Sequence, residues 1–148
     1  MSIGNTKVDV MLRRAKSLSE VEAWLKTFDT TTKKEILDFI RIDQLERDGV
    51  DSTGEIIGYY SYATELITKG RKQQGQHYTL LETGDFFRSM YIQVFQNEIF
   101  INGNTKKMEN KEWFNNEIIG LTDENFRKLK EIVKNSYIDY ARKILFGN

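Results

Sequence analysis

Few residues in this sequence could do chemistry, and their types exclude several kinds of site. The chain has 148 residues, no cysteine and a single histidine, His77. Disulfides, thiolate metal sites and cysteine nucleophiles are therefore excluded. A zinc site or a Ser-His-Asp triad would have to be built on His77 alone. His77 lies beside Tyr78 in a polar stretch, which favours an ordinary loop histidine over a metal ligand or a catalytic base.

Two carboxylates three residues apart, Glu82 and Asp85, are the remaining candidates for acid–base catalysis. The same spacing is typical of negative charge at the start of a helix, where it suits the helix dipole. We favour the second interpretation. The patterns of a calcium-binding loop and of a phosphate-binding loop are also missing from the sequence. The sequence therefore predicts no catalytic residue, no metal and no cofactor.

Basic side chains cluster at Lys69, Arg71 and Lys72, where a polar, glycine-flanked segment runs on to His77. Basic loops beside aromatic residues often bind nucleic acid. A solvated loop, or an interface with an acidic neighbour, is the alternative. The whole chain carries 22 basic and 22 acidic side chains. This balance is unlike that of a general nucleic-acid binder and favours association between protein surfaces.

Two groups of aromatic residues are candidate partner contacts. Tyr59 and Tyr60 lie in one aromatic-rich stretch, and tyrosine is enriched at protein interfaces. Trp113 and Phe114 stand in a polar segment, where an aromatic pair often anchors a partner. Packing within the chain's own core is the open alternative for both groups.

Helix signals in the first half of the chain precede these residues. Ser19 begins a Ser-x-x-Glu capping box, which predicts a short helix. The run 29–32 predicts a break, because short polar side chains compete for backbone hydrogen bonds. Thr32 begins a second capping box, and the helix that it opens should end near Gly49. Residues 1–18 fit either a strand or a helix, and they are a candidate extended or mobile arm.

The second half contains the clearest elements. Thr83 is the predicted N-cap of a short helix that reaches Met90. The alternation that follows predicts a β-hairpin over 91–102. Because a two-stranded hairpin is marginally stable alone, it should pair with residues 54–60 or with an edge strand of a neighbouring subunit. Thr122 is the predicted N-cap of a C-terminal helix of about six turns.

Together these elements predict an α+β fold. A small antiparallel sheet with a β-hairpin would pack against N-terminal helices and a long C-terminal helix. The length suits a single domain over 1–148, with its core in 19–148. The apolar runs are too short to span a membrane, and the N-terminal residues lack the apolar segment of a signal peptide.

Three motifs within roughly residues 36–145 resemble the virion-morphogenesis proteins of tailed bacteriophages, which are also described as tail-completion, neck or head–tail connector proteins. The first motif is Asp-Ser-x-Gly at 51–54, followed by Tyr-Ser-x-x-Thr at 60–64 and the basic loop. The second is Leu-x-x-Thr-Gly-x-x-x-x-Ser-Met at 80–90, before the hairpin. The third is Gly-Leu-Thr-x-Glu at 120–124, before the last helix. The motif residues of interest are Thr83, Gly84, Ser89, Gly120 and Thr122.

The resemblance implies a structural subunit that forms an oligomeric ring at the head–tail connector or the tail end during virion assembly. It implies contacts with other phage structural proteins, such as the portal, an adaptor or tail components, and a transient contact with the packaged genome. The protein would then be located in the virion, and in the host cytoplasm during assembly. A small phage-encoded nucleic-acid-binding regulator that uses the loop 69–77 is the alternative function.

Overall fold

The structure, a computed structural model, describes residues 7–82 and 84–147. The fold is α+β, as the sequence predicts. The helices are α1 (Lys7–Lys16), α2 (Glu20–Thr27), α3 (Thr30–Asp38), α4 (Tyr62–Ile67), α5 (Asp85–Ser89) and α6 (Asp123–Phe146). The strands are β1 (Tyr91–Val94) and β2 (Ile99–Asn102), and one turn of 3-10 helix spans Asn116–Ile118.

The two capping boxes of the first half differ in outcome. Ser19 is the N-cap of α2, where its hydroxyl accepts a hydrogen bond from the Glu22 N–H at 3.2 Å, so that prediction is confirmed. A break does separate α2 from α3, but it lies at residues 28 and 29, so the predicted break at 29–32 is confirmed only at its first residue. The predicted cap at Thr32 is wrong. Asp29 is the N-cap of α3, and its carboxylate accepts from the Thr32 N–H at 2.8 Å. The carboxylate satisfies an N–H at the helix start, so the threonines form the first turn of α3.

The helix α3 continues into a π-helical segment, Phe39–Asp48, which we call the π segment. It ends at Gly49, so the predicted helix end is confirmed. Gly49 takes the left-handed conformation, with φ at 66°. A Cβ at this position would collide with the ring of His77. Glycine is therefore required here by both the backbone angle and the close approach.

Residues 7–16 form a helix, so the helical alternative for the N-terminal region holds there. The helix α1 packs against the C-terminal end of α6, where Arg14 Nη1 donates to the Leu145 carbonyl at 3.0 Å. The first six residues of the predicted arm lie outside the described residues. Residues 7–16 are therefore neither extended nor separate from the rest of the fold.

The predicted hairpin is present as the antiparallel pair β1 and β2. Ile92 lies opposite Ile101, and Val94 lies opposite Ile99. Ile92 is buried, and the other three side chains pack against the core while remaining partly exposed. The alternation seen in the sequence thus separates an inward apolar face from an outward one.

The predicted pairing of the hairpin with residues 54–60 is wrong. Within the described ranges the sheet contains only β1 and β2. Residues 54–60 take part in two isolated bridges instead, Val50 with Ile56 and Tyr59 with His77. Packing on α3 supports the hairpin, because its inward face joins the same hydrophobic core.

The core lies where α3, the π segment, the hairpin and α6 meet. Ile36 on α3 and Ile40 on the π segment are fully buried, and Leu129 is buried on α6. Thr122 caps α6 by accepting a hydrogen bond from the Asn125 N–H at 3.3 Å, which confirms the predicted cap. The core therefore fixes α6 against the π segment.

Candidate interaction site

The segment that caps α6 is joined to the π segment by one buried amide, Gln44. Its Nε2 donates to the Gly120 carbonyl at 2.8 Å. Its Oε1 accepts from the Thr122 N–H at 2.9 Å and from Asn125 Nδ2 at 2.8 Å. Asn125 Nδ2 also donates to the Phe39 carbonyl at 3.1 Å. Both amide side chains are buried, so this network holds the third motif in one position on the π segment.

The first and third motifs form a single junction. The Ser52 N–H donates to the Glu117 carbonyl at 2.8 Å, and the Ser52 hydroxyl donates to the Glu117 carboxylate. Gly120 lies against the same serine, since a Cβ on Gly120 would come within 2.9 Å of the Ser52 Cβ. Asp51 closes the turn of the first motif by accepting from the Thr53 N–H at 2.9 Å. These motif residues therefore position backbone segments relative to one another.

The second motif forms a separate junction beside the hairpin. Gly84 precedes α5 in the left-handed conformation, with φ at 76°. The Ser89 hydroxyl donates to the Phe86 carbonyl at 2.6 Å and accepts from the Asn104 N–H at 2.8 Å. Ser89 thus ties α5 to the segment after β2. Thr83, the predicted N-cap of α5, lies outside the described residues.

The basic loop follows α4 and folds back onto residues 58–60. The Gly75 N–H donates to the Tyr60 carbonyl at 3.0 Å, and the Tyr60 N–H donates to the Gln76 carbonyl at 2.8 Å. Most residues from 69 to 76 are exposed, as the sequence predicts. The backbone of the loop is therefore fixed, while most of its side chains face outward.

Three aromatic rings lie in series beside this loop. The centroids of Tyr60 and Tyr78 are 5.0 Å apart, and those of Tyr78 and Trp113 are 5.4 Å apart. Lys72 Nζ lies 5.4 Å from the Tyr60 centroid and 3.6 Å from a carboxylate oxygen of Glu82. The structure thus brings together candidate residues from three segments. Lys72 is held among them by a ring and a carboxylate.

A groove of about 620 Å³ opens beside the stacked rings. Its lining includes four of the predicted contact residues, Tyr59, Tyr60, Arg71 and Lys72. Lys69 is exposed two residues before Arg71, and its backbone is left-handed, with φ at 53°. Lys72 is therefore engaged by a ring and a carboxylate, and Arg71 Nε donates to the Thr68 carbonyl at 3.2 Å. Lys69 and Arg71 remain exposed at the surface.

Trp113 and Phe114 are partly buried, and both pack against the chain's own core. The core-packing alternative therefore holds for them. Trp113 also lines a second groove, of about 330 Å³, together with Tyr78, Lys107 and Lys111. An edge of this aromatic pair remains accessible from that groove.

The residues considered for catalysis make ordinary structural contacts. The Nε2 atom of His77 lies 2.9 Å from the Arg47 carbonyl oxygen. Its Nδ1 atom lies 3.1 Å from the carbonyl oxygen of the next residue, Tyr78. Glu82 forms an ion pair with Lys72. Asp85 lies 3.6 Å from Lys107 and also pairs with Arg88. The negative charge of each carboxylate is thus balanced by a nearby lysine or arginine.

An ion pair lies close to His77 at the end of the π segment. Arg47 donates to Asp48 from Nε at 2.8 Å and from Nη2 at 2.9 Å. These hydrogen bonds, reinforced by the opposite charge, lower the pKa of the Asp48 carboxyl and raise the pKa of Arg47. Both side chains are largely exposed, so solvent screens their effect on stability.

Neither a metal centre nor a membrane segment is found in the described part of the chain. Across residues 7–82 and 84–147, no three His, Asp or Glu side chains group as metal ligands would. In the same ranges no helix combines the length and apolarity that crossing a bilayer requires.

Gln44, the most connected residue of the junction, is not predicted from the sequence. The signal was present but weak. Gln44 precedes the buried Leu45 and stands at an inward position of an otherwise apolar stripe. A polar residue there indicates a buried hydrogen-bonding partner, but only the fold identifies that partner as the cap of α6.

Comparison with known proteins adds no relative, since no protein-family model, curated protein or solved structure matches the chain.

Proposed function

We propose that this protein is a structural subunit of a bacteriophage particle, and that it forms an oligomeric ring at the head–tail connector or the tail end during virion assembly. Its function would then be to bind copies of itself and neighbouring structural proteins. It would do so through shape and charge rather than through a reaction. The order of the three motifs supports this proposal. Their motif residues in the described ranges act as structural ties, as an assembling subunit requires.

The observation that carries the proposal is exposed apolar surface on several elements. On the hairpin, Tyr91, Phe95 and Phe100 are each close to half exposed, and the rings of Phe95 and Phe100 contact at 5.5 Å between centroids. On α4, Ile67 is 82% exposed. Contiguous exposed apolar side chains mark protein interaction sites. A chain of zero formal net charge has little repulsion to oppose such contacts.

The hairpin offers a further means of association. Among the described residues its outer edges pair with no third strand. An unpaired edge can accept a strand from a neighbouring molecule. Of the two pairings predicted from the sequence, pairing of the hairpin with an edge strand of a neighbouring subunit is the one that we retain as a proposal.

We propose the remaining partners on the basis of the same resemblance. They are other phage structural proteins, such as the portal, an adaptor or tail components, and the packaged genome in transient contact. The protein would be located in the virion, and in the host cytoplasm before assembly ends.

Quantitative mass spectrometry of purified phage particles tests this function. If the chain is a ring subunit, its peptides will co-purify with the major capsid protein at a constant ratio across density-gradient fractions. An abundant host cytoplasmic protein serves as the control and should be depleted over the same fractions. Absence of the chain from intact particles, or an amount that follows the host control, would contradict the proposal.

The groove at the basic loop favours a second function, a nucleic-acid-binding regulator. Arg71 and Lys72 line it beside Tyr59 and Tyr60, and Lys69 is exposed nearby. Cations and aromatic rings along one groove are the elements of a single-strand binding surface. Against this function stands the balanced charge of the chain.

A salt series of DNA-binding measurements tests the second function. If the loop binds DNA, Lys69, Arg71 and Lys72 changed together to Ala should weaken the affinity. The slope of log affinity against log salt should then become shallower by roughly two to three, about one for each lost phosphate contact. The matched control changes Arg127, Lys130 and Lys134 of α6 to Ala and should have no such effect. If the two variants bind DNA with the same affinity and the same salt dependence, the loop is not the binding surface.

A further inference from the structure

The end of strand β2 carries the dipeptide Asn102-Gly103, the one place in the sequence where glycine follows asparagine. Asparagine is a thermolabile residue, because the backbone nitrogen of the next residue can attack its side-chain amide carbon. Glycine in the next position favours this attack, since it has no side chain to block the approach and its backbone turns freely. The dipeptide is therefore a candidate site of spontaneous covalent modification.

The fold places the Asn102 side chain beside the peptide bond that would react. The Gly103 N–H donates to Asn102 Oδ1 at 2.8 Å, so the amide carbon bonded to that oxygen also lies near the nitrogen. Rotation of the side-chain amide then turns this carbon toward the nitrogen. Asn102 is exposed and is the last residue of β2, so water reaches it from solvent. The folded chain thus brings the reacting nitrogen, the carbon and solvent together.

A related dipeptide, Asp48-Gly49, is held differently by the fold. The Gly49 N–H donates to the Gln44 carbonyl, in the cap that ends the π segment. The Asp48 carboxylate accepts two hydrogen bonds from Arg47, one at each oxygen. Both groups that would react at this dipeptide are therefore bonded elsewhere. The sequence presents two candidate dipeptides, and the structure favours reaction at Asn102 alone of the two.

We propose that Asn102 of the folded protein converts spontaneously to a mixture of isoaspartate and aspartate. This inference goes beyond the proposed function and does not depend on it. The Gly103 nitrogen loses its proton to hydroxide and attacks Asn102 Cγ. The new N–Cγ bond closes a succinimide ring, and the Cγ–Nδ2 bond breaks. Nδ2 takes a proton from water, which restores the hydroxide, and leaves as ammonia.

Water then opens the succinimide at either of its carbonyl carbons. Cleavage of the bond between the ring nitrogen and Cγ gives aspartate with the original backbone. Cleavage of the bond between the ring nitrogen and the backbone carbonyl carbon gives isoaspartate, in which the chain runs through Cβ and Cγ and the free carboxylate is on Cα. The net reaction consumes a water molecule, releases ammonia and converts a neutral amide into a carboxylate.

The extra backbone atom of isoaspartate would enter a closely packed part of the chain. A Cβ on Gly103 would come within 3.1 Å of Met90 Cγ and 3.4 Å of Ser89 Oγ. The N–H of the next residue, Asn104, donates to Ser89 Oγ at 2.8 Å. Because a longer backbone at 102 displaces both contacts, isoaspartate should break the tie between α5 and the segment after β2. Aspartate keeps the original backbone and should leave that tie intact.

Peptide mapping of the full chain, aged at mildly alkaline pH either folded or in urea, tests the modification. Electron-transfer fragmentation distinguishes isoaspartate from aspartate. We expect both products to accumulate at Asn102 in the folded chain, and faster as pH rises, because the attack needs the deprotonated nitrogen. Asn104, which is followed by threonine, is the internal control and should stay unmodified. Asp48 should isomerise more slowly in the folded chain than in urea.

Two variants at this exposed position serve as matched controls. N102Q cannot close a succinimide with its longer side chain, so it should stay unmodified. N102D, measured fresh, adds the carboxylate without the extra backbone atom and should melt as the wild type does. Aged wild type enriched in isoaspartate should melt roughly 2–4 °C lower, the shift expected for one lost hydrogen bond in a chain of this length. Aged N102Q should show no such shift.

Three results would count against this inference. Products that form at Asn102 in urea but not in the folded chain would overturn it, because the fold would then protect the dipeptide. Equal modification of Asn102 and Asn104 in the folded chain would show that glycine does not select the site. An unchanged melting temperature in the isoaspartate form would overturn the predicted loss of the tie at Ser89. Ring assembly is measured separately, by oligomeric state, and can fail without affecting these results.

Discussion

Gln44 is the residue on which the junction between the π segment and α6 depends. One buried amide satisfies the Gly120 carbonyl, the Thr122 N–H and a side-chain N–H of Asn125. Groups of this kind cost little when paired and much when left buried without a partner. The stability of the junction is therefore concentrated in one side chain, although that residue touches no part of the proposed surfaces.

Replacing Gln44 with Leu should lower the free energy of unfolding by roughly 3 kcal/mol or more, because three polar groups lose their partner at once. Chemical denaturation measures the change. The control E46L lies at an exposed position two residues away and should change stability by no more than about 0.5 kcal/mol. A loss below about 1 kcal/mol for Q44L would show that water or a rearrangement replaces the amide.

The stability that Asp29 contributes as the N-cap of α3 depends on pH. The Thr32 N–H, followed by the Thr32 hydroxyl, holds the pKa of the Asp29 carboxyl below its ordinary value of 3.8. A lowered carboxyl pKa contributes stability above the unfolded-state value, and that contribution is lost as pH falls through the folded-state value.

The variant D29N separates the charge of Asp29 from its cap, because asparagine also caps helices but does not titrate. We expect the melting temperature of the wild type to exceed that of D29N most at neutral pH. The difference should shrink as pH is lowered to about 3. A difference that is constant over this range would mean that the carboxylate contributes no charge-dependent stability.

Among the elements, α6 links the two ends of the molecule, and its start is set by Thr122. Replacing Thr122 with Ala should destabilise the fold by about 1 kcal/mol, and replacing it with Ser should cost less, because the serine hydroxyl can still cap. Thermal or chemical unfolding measures both. T31A is the matched control, since Thr31 is exposed in the first turn of α3 and is not its cap. Equal losses for T122A and T31A would contradict the capping role that we assign to Thr122.

The elements also show what the sequence can predict. The hairpin, the end of the π segment at Gly49 and the start of α6 follow from local signals, namely alternation, a glycine and a capping threonine. The cap of α3 was mistaken because four candidate capping residues stand in a row at 29–32, and the sequence does not say which side chain reaches an N–H. The π segment has no local signal in the sequence.

The interaction surfaces were only partly predictable for a related reason. Tyr59, Tyr60, Arg71 and Lys72 are close in sequence, so their common groove follows from a short loop. The packing of α1 on the C-terminal end of α6, by contrast, joins residues that are more than 100 positions apart in the sequence. Long-range placement of this kind arises from the packing of the core and not from a local pattern.

At the scale of the whole molecule, zero net charge conceals an uneven distribution. The helix α1 carries four basic side chains and one acidic side chain. The balance of 22 basic and 22 acidic residues leaves little net repulsion to oppose association between copies.

The most direct test of this account is the molar mass of the wild-type chain measured by light scattering after size exclusion, over a concentration series and at two salt concentrations. We predict a mass that rises with concentration to a closed oligomer, visible as rings by electron microscopy, and that falls at high salt as the charges are screened. A chain that remains monomeric at every concentration up to the millimolar range would contradict the account.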